Sequence, residues 1–227
     1  MASQAHYERE QAFWDDKGRE DYATLSPSDR ERIVDWIGWR GHGRILDLGG
    51  GAGMVSRLLM RQPETEIVCL DISHAMLTHS PVPAIQADAT SLPVADESCE
   101  LVVAAAFMHH LPDLFQRVLA ETHRILKPGG RIVGYDPNGF SLQNRIFMGD
   151  GPLRLKSFSP EERPIRPTDM RAQCTTAHLH DFTSDYFTFQ NESTTKFEMV
   201  QSRLINPIAK GPLKKYLDRW YFWRAVK

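Results

Sequence analysis

Three aspartates and a run of glycines carry the most informative spacing in this 227-residue chain. In "ILDLGGGAG" (45–53), Asp47 stands two residues ahead of Gly49, and Gly51 and Gly53 follow. Asp71 closes "EIVCLD" and Asp88 closes "AIQAD". Glycines let the backbone approach a ligand closely, and a helix starting just beyond them offers free N–H groups. A dinucleotide pyrophosphate is held in this way, but here its third glycine would fall on Met54, and a start at Gly50 would put Ala52 at the second. Asp47 would also face a group that is already strongly negative. The pattern suits a ligand with positive charge and no phosphate. S-adenosylmethionine, with its ammonium, sulfonium, carboxylate and adenosine, has those properties. Asp71 can then accept from both ribose hydroxyls, and Asp88 from the adenine amino group.

Methyl transfer from a sulfonium is an in-line displacement in which charge disperses, so an oriented, dry pocket matters most. An O–H or N–H acceptor also needs a base. Candidates sit after two apolar runs: His109 and His110 after "ELVVAAAFM", and Tyr135 and Asp136 closing "RIVGYD". His110 is the first choice, because it should face the cleft just ahead of Pro112. The competing reading has the His-His pair capping a helix or packing beside the ligand. His178, His180 and Asp181 in "HLHD" place two imidazoles on one face of a strand. Nothing near them completes a ligand set, so no metal site is assigned.

These residues need elements to hold them. "SDRERIVDWIGWR" (28–40) has Ile33, Trp36 and Ile37 at helical spacing, with Ser28 or Asp29 to cap it and Gly41 and Gly43 to end it. Strands are expected at "RILDL", 66–71, 84–88, 100–108 and 131–136. Helices are expected at "MVSRLLM" (stopped by Pro63), at "SHAMLTHS" capped by Ser73, and over 112–126. The run at 100–108 is apolar throughout, as in a strand covered on both faces. Alternation of strand and helix predicts an α/β fold with a doubly wound, mostly parallel sheet. Beyond Asp136 the rhythm breaks into an irregular cap, a helix at "PTDMRAQCTTA", and strands in "HDFTSDYFTF" and "WYFWRAVK". The link between those strands is too long for a tight hairpin. The segment 6–22 carries Tyr7, Phe13, Trp14 and Tyr22, and reads either as a lid that excludes water or as a helix packed on the core. "GPLKKYLDRWYF" (211–222) places Leu213, Tyr216, Leu217 and Trp220 on one helical stripe, with Lys214, Lys215 and Arg219 elsewhere. Such a stripe either packs on the sheet or lies on a charged surface.

Composition fits a folded globular chain, with 41% hydrophobic and 25% charged residues. No stretch reaches the ~18 apolar residues of a membrane span, and "MASQAHYERE" has no apolar signal core, so a cytoplasmic protein is expected. Cys69, Cys99 and Cys174 lie far apart and read as reduced thiols. Charge is uneven: 13 basic against 20 acidic residues in 1–136, but 14 against 9 in 137–227. The segment 191–227 holds 8 against 3, which suggests a weak contact with an anionic membrane or carrier.

The segments "ILDLGGGAG", "CLDIS", "QADATSLPVADESCELVV", "MHHLPD" and "LKPGGRIVGYDPN" together resemble the class I S-adenosylmethionine-dependent methyltransferases, in particular their type 11 small-molecule group. The resemblance covers about residues 30–137. It implies a seven-stranded Rossmann-like sheet whose last strand is antiparallel, an N-terminal helical lid and a cap insertion after strand five. By position it assigns Asp47, Gly49 and Gly51 to the methionine end and Asp71 and Ile72 to the ribose and one adenine face. Asp88 and Ala89 fall at the adenine ring, and Ala105 and Ala106 at a close approach of the cofactor. Cys99 and Glu100 stand where the family more often has Phe and Asp, at packing or solvent positions. One domain (1–227) is expected, divided into lid (1–40), cofactor core (41–136), cap (137–181) and C-terminal strands with a basic link (182–227). The activity implied is methylation of O, N or C of a small-molecule acceptor such as a biosynthetic metabolite. Carrier-bound, lipid or macromolecular acceptors, a non-catalytic S-adenosylmethionine binder, and a dehydrogenase are the alternatives. No nucleic-acid partner is expected: the [N/D/S]-P-P-[Y/F/W] turn of base methylating enzymes is replaced by "FMHH", and the acidic body suits phosphate poorly.

Overall fold

The computed structural model describes residues 4–17, 25–155, 158–159, 161–189 and 211–227. Seven strands form one sheet in the order β3-β2-β1-β4-β5-β7-β6. They are β1 (Gly43–Leu48), β2 (Thr65–Asp71), β3 (Ala84–Gln86), β4 (Cys99–Ala105), β5 (Leu126–Pro137), β6 (His180–Phe187) and β7 (Trp220–Val226). The first five run parallel, and β7 pairs antiparallel with both β5 and β6. Strand order reverses between β1 and β4, and in open sheets ligands settle at the carboxyl ends of strands at such a point. The glycine turn follows β1, and the histidine pair follows β4.

Side-chain alternation sends each strand's residues to two separate cores. Leu46, Val102, Ala104, Ile132 and Trp223 face α5 (Phe115–Ile125) and α7 (Pro167–Thr176). Ile45, Leu101, Val103, Val133 and Phe222 face α2 (Pro27–Ile37) and α3 (Met54–Leu59). Helix α5 buries Phe115, Val118, Leu119, Thr122 and Ile125, one stripe at helical spacing. The three cysteines are buried and free. Among the described residues no helix is long and apolar enough to cross a membrane.

Several boundaries move. The cap of α2 is Ser26, whose hydroxyl accepts the Asp29 N–H; Pro27 occupies the first turn, and the left-handed Gly38 ends the helix before Gly41. Helix α5 starts at Phe115 rather than Pro112, since a 3-10 turn, Met108–His110, takes up the chain after β4. Strand β3 stops at Gln86, so Asp88 lies two residues beyond it. The expected helical stripe over 211–222 is broken: a 3-10 turn (Gly211–Leu213) and the single-turn α8 (Lys214–Leu217) give way to β7, which takes Trp220. The cap holds the short helix α6 (Leu142–Phe147) before α7. Most of the 191–219 link, and residues 18–24 of the N-terminal segment, lie outside the described residues. The N-terminal helix α1 (Gln4–Lys17) packs against α4 (His74–Leu77).

Candidate active site

The turn after β1 is built on left-handed backbone. Gly49, Gly51 and Gly53 have φ of 67°, 52° and 76°, where a side chain is strained. Space is restricted too, because a Cβ on Gly49 would land in the Phe107 ring. The Gly51 N–H donates to Asp71 Oδ2 at 2.9 Å, and Asp71 Oδ1 accepts the Ser73 N–H at 2.8 Å. The glycine turn and the acid that ends β2 thus form one cradle.

Asp47 lies beneath that cradle, 1% exposed. Its Oδ2 accepts the Ser56 N–H at 3.1 Å and the Ser56 hydroxyl at 2.6 Å. Its Oδ1 is buried with no hydrogen-bond partner among the described residues. Burial raises the Asp47 pKa to about 6, against the Ser56 bonds, with the Asp71 charge adding to the rise. Burial also raises Asp71. A buried carboxylate oxygen without a donor is costly, and a cation beside it would remove that cost. The chemistry of this donor set fits the cationic nucleoside expected from the sequence. Asp88 caps its own turn through the Thr90 N–H at 2.8 Å, and Tyr7 of α1 lies close enough to feel its charge. Ala89 is buried, Ile72 and Ala105 are half-buried, and Ala106 has a φ of 52°.

The histidines join a polar cluster assembled from distant parts of the chain. His109 places Nδ1 2.9 Å from Asp136 Oδ1, and the His109 N–H donates to the same oxygen at 3.1 Å. Asp136 Oδ2 accepts the Trp223 indole N–H at 2.8 Å. Burial opposes charge on both members of the pair, lowering the His109 pKa and raising that of Asp136. The rings of His109 and His110 lie 4.1 Å apart. His110 Nδ1 stands 3.4 Å from Glu10 Oε2 and 3.6 Å from Glu162 Oε1. Glu10 also accepts the Ser159 hydroxyl at 2.7 Å and the Trp14 N–H at 3.2 Å. Burial opposes ionisation of Glu10, but the His110, Ser159 and Trp14 contacts outweigh it and hold its pKa below the ordinary value. Atoms of His109, His110 and Glu162 able to ligate an ion come within 4.8 Å of one another. His178 and His180 take no part in that group.

Tyr135 makes no direct contact with the histidines among the described residues, although the Trp220 ring meets both it and His109. Its ring lies on the α2 side of the sheet, among Phe187, Phe189, Trp220 and Phe222, and burial raises its pKa. Glu10, Ser159 and Glu162 were not singled out from the sequence. "SPEE" (159–162) does carry the S-x-x-E signature of a closed turn, and the Ser159 N–H donates to Glu162 Oε1 at 3.0 Å. No local signal ties Glu10 to it from 149 residues away.

Residues 46–134 match the methyltransferase-domain family. The chain is 34% identical over 119 residues to the ubiquinone/menaquinone biosynthesis C-methyltransferase UbiE of Dinoroseobacter shibae, covering 46% of each chain. It is 38% identical over 98 residues to the malonyl-[acyl-carrier protein] O-methyltransferase of Methylococcus capsulatus, covering 39% of this chain and 35% of the relative. The chain thus spans less than half the length of these relatives. In fold it is similar to a crystal structure of a SAM-dependent methyltransferase from Archaeoglobus fulgidus, with a TM-score of 0.67, 19% identity, and coverage of 88% of this chain and 92% of that one.

Proposed function

We propose that the chain is a class I S-adenosylmethionine-dependent methyltransferase, as the match over residues 46–134 supports, and that it methylates O, N or C of an acceptor seated against His110 at the carboxyl ends of β4 and β5. The observation that carries this reading is Asp47 Oδ1, a buried carboxylate oxygen without a donor under a glycine turn. S-adenosylmethionine, when bound, supplies a methyl group on a sulfonium. Asp47, Gly49 and Gly51 would hold its methionine end, Asp71 and Ile72 the ribose, and Asp88 and Ala89 the adenine, with Ala105 at the close approach.

The remaining work belongs to the chain's own residues. The contact of His109 Nδ1 with Asp136, itself held by Trp223, fixes the wall against which His110 lies. A proton arriving on His110 would be matched by the Glu10 and Glu162 carboxylates, which is the arrangement a general base needs. Helix α1 lies over the cleft, joined through Asp15 to Ser73 at one end and through Glu10 to Ser159 at the other, and acts as a lid that excludes water. The acceptor is a small metabolite or the reactive end of a carried or lipid molecule.

The test couples two measurements. Calorimetry with S-adenosylmethionine should show one site, lost in Asp71→Ala. Incubation of the protein with methyl-labelled donor and a host extract, followed by mass spectrometry, should yield a labelled product. Binding without any product would leave a cofactor binder and remove the enzyme.

A further inference from the structure

Exposed apolar side chains are concentrated in one region. Leu142 (55% exposed) and Ile146 (37%) stand on α6, Leu153 (62%) and Leu155 (49%) in the loop after it, and Leu213 (53%) and Tyr216 (38%) at α8. Among the described residues, Met60 is the only other exposed large hydrophobic. Helix α6 touches both of the other segments. Helix α6 packs on α8, the Leu153 and Leu155 N–H groups donate to the Ile146 and Phe147 carbonyls at 3.1 and 3.0 Å, and Phe140 meets Tyr216 edge-on. Leu142 and Ile146, four residues apart, share one stripe of the helix. Isolated exposed leucines need no explanation, but a joined group of this kind does.

The charge on this face is positive. Arg145 is exposed on α6. The Lys215 ammonium lies over the Phe140 and Tyr216 rings, and Arg154 donates to the Phe158 and Ser159 carbonyls, so neither contact matches the cation with a carboxylate. The acids at the margin are already paired: Asp150 with Arg163, and Asp185 with Lys214. Projecting aliphatic tips, an aromatic with a polar end and unmatched cations are the features of a surface that settles into the headgroup layer of an anionic bilayer.

The patch also borders the candidate active site along the chain. Asp136 and Asn138 lead into α6, and Leu155 leads to Ser159 and Glu162. Helix α8 leads to Trp220, whose ring meets His109 edge-on with centroids 6.4 Å apart. We propose that α6, the 153–155 loop and α8 form a docking face for an anionic lipid surface, which holds the mouth of the cleft against the bilayer. This goes beyond the methyl-transfer reading and does not depend on it.

The test is co-sedimentation of the full chain with phosphatidylcholine vesicles containing or lacking phosphatidylglycerol. The chain should bind the anionic vesicles about tenfold more tightly than the zwitterionic ones and weaken as salt rises. Leu142→Asp with Ile146→Asp should lose vesicle binding. Arg145→Glu should weaken it about tenfold. All variants should keep wild-type affinity for S-adenosylmethionine, which reports folding separately from docking. Equal binding by the double variant, no binding by the wild type, or loss of the variants' effect in favour of an acidic carrier protein or a second copy of the chain would overturn the proposal. Failure of S-adenosylmethionine binding in a protein that still sediments would count against the methyl-transfer reading alone.

Discussion

Asp47 has one oxygen bonded twice by Ser56 and the other bonded by nothing among the described residues. Its pKa is raised from 3.8 to about 6, so the folded state holds this proton more tightly than the unfolded state does. The sign follows: its contribution to the ligand-free fold is fully present below the ordinary carboxylate value and is lost as pH rises through about 6. The loss is about 3 kcal/mol at most. A cationic ligand needs the ionised form, so affinity for S-adenosylmethionine should fall about tenfold for each pH unit below that value. Asp47→Asn should bind weakly at all pH values and show no such slope, read by calorimetry from pH 5 to 8. His110→Gln should lower kcat by about 10²-fold while leaving cofactor affinity near wild type, and an unchanged rate would remove it as the base. At this scale the candidate site was readable where its residues are consecutive, as in the left-handed glycine turn that follows Asp47. It was unreadable for Glu10 and Glu162, because their approach to His110 exists only once α1 and the cap loop meet there.

Elements decide how firmly those residues are held. Gly134 lies where β5 passes Trp223, and an added Cβ would press on the Ala104 carbonyl and stand 2.8 Å from the indole. Gly134→Ala should therefore cost about 1–3 kcal/mol in urea unfolding, the range for overpacking. Helix α1 is joined to α4 through Asp15, which accepts the Ser73 hydroxyl at 2.5 Å and the Ala75 N–H at 3.3 Å. If α1 is a lid, Asp15→Ala should speed cofactor release several-fold in stopped-flow measurements and leave the melting temperature almost unchanged. The strands and helices of 43–137 were legible because their apolar periods are long and clean. The stripe over 211–222 misled because Leu213, Tyr216, Leu217 and Trp220 fit a helical period, while the aromatic run from Trp220 pairs with β5 and β6 instead. Tertiary pairing overrode the local pattern.

On the scale of the molecule, the sheet brings β1, β2 and β4 to the switch point, and β5 and β7 supply Asp136 and Trp223 beside it. The acid set and the histidine cluster therefore share one end of the sheet. A ligand binding there should stabilise the whole domain, by about 2.7 kcal/mol at a concentration 100 times Kd. The central claim is that this end takes a positively charged nucleoside without phosphate. Side-by-side calorimetry of the full chain with S-adenosylmethionine, NAD and ATP tests it most directly. The account predicts one site for S-adenosylmethionine, abolished by Asp71→Ala, and no heat with the other two; binding of NAD or ATP in place of S-adenosylmethionine would contradict it.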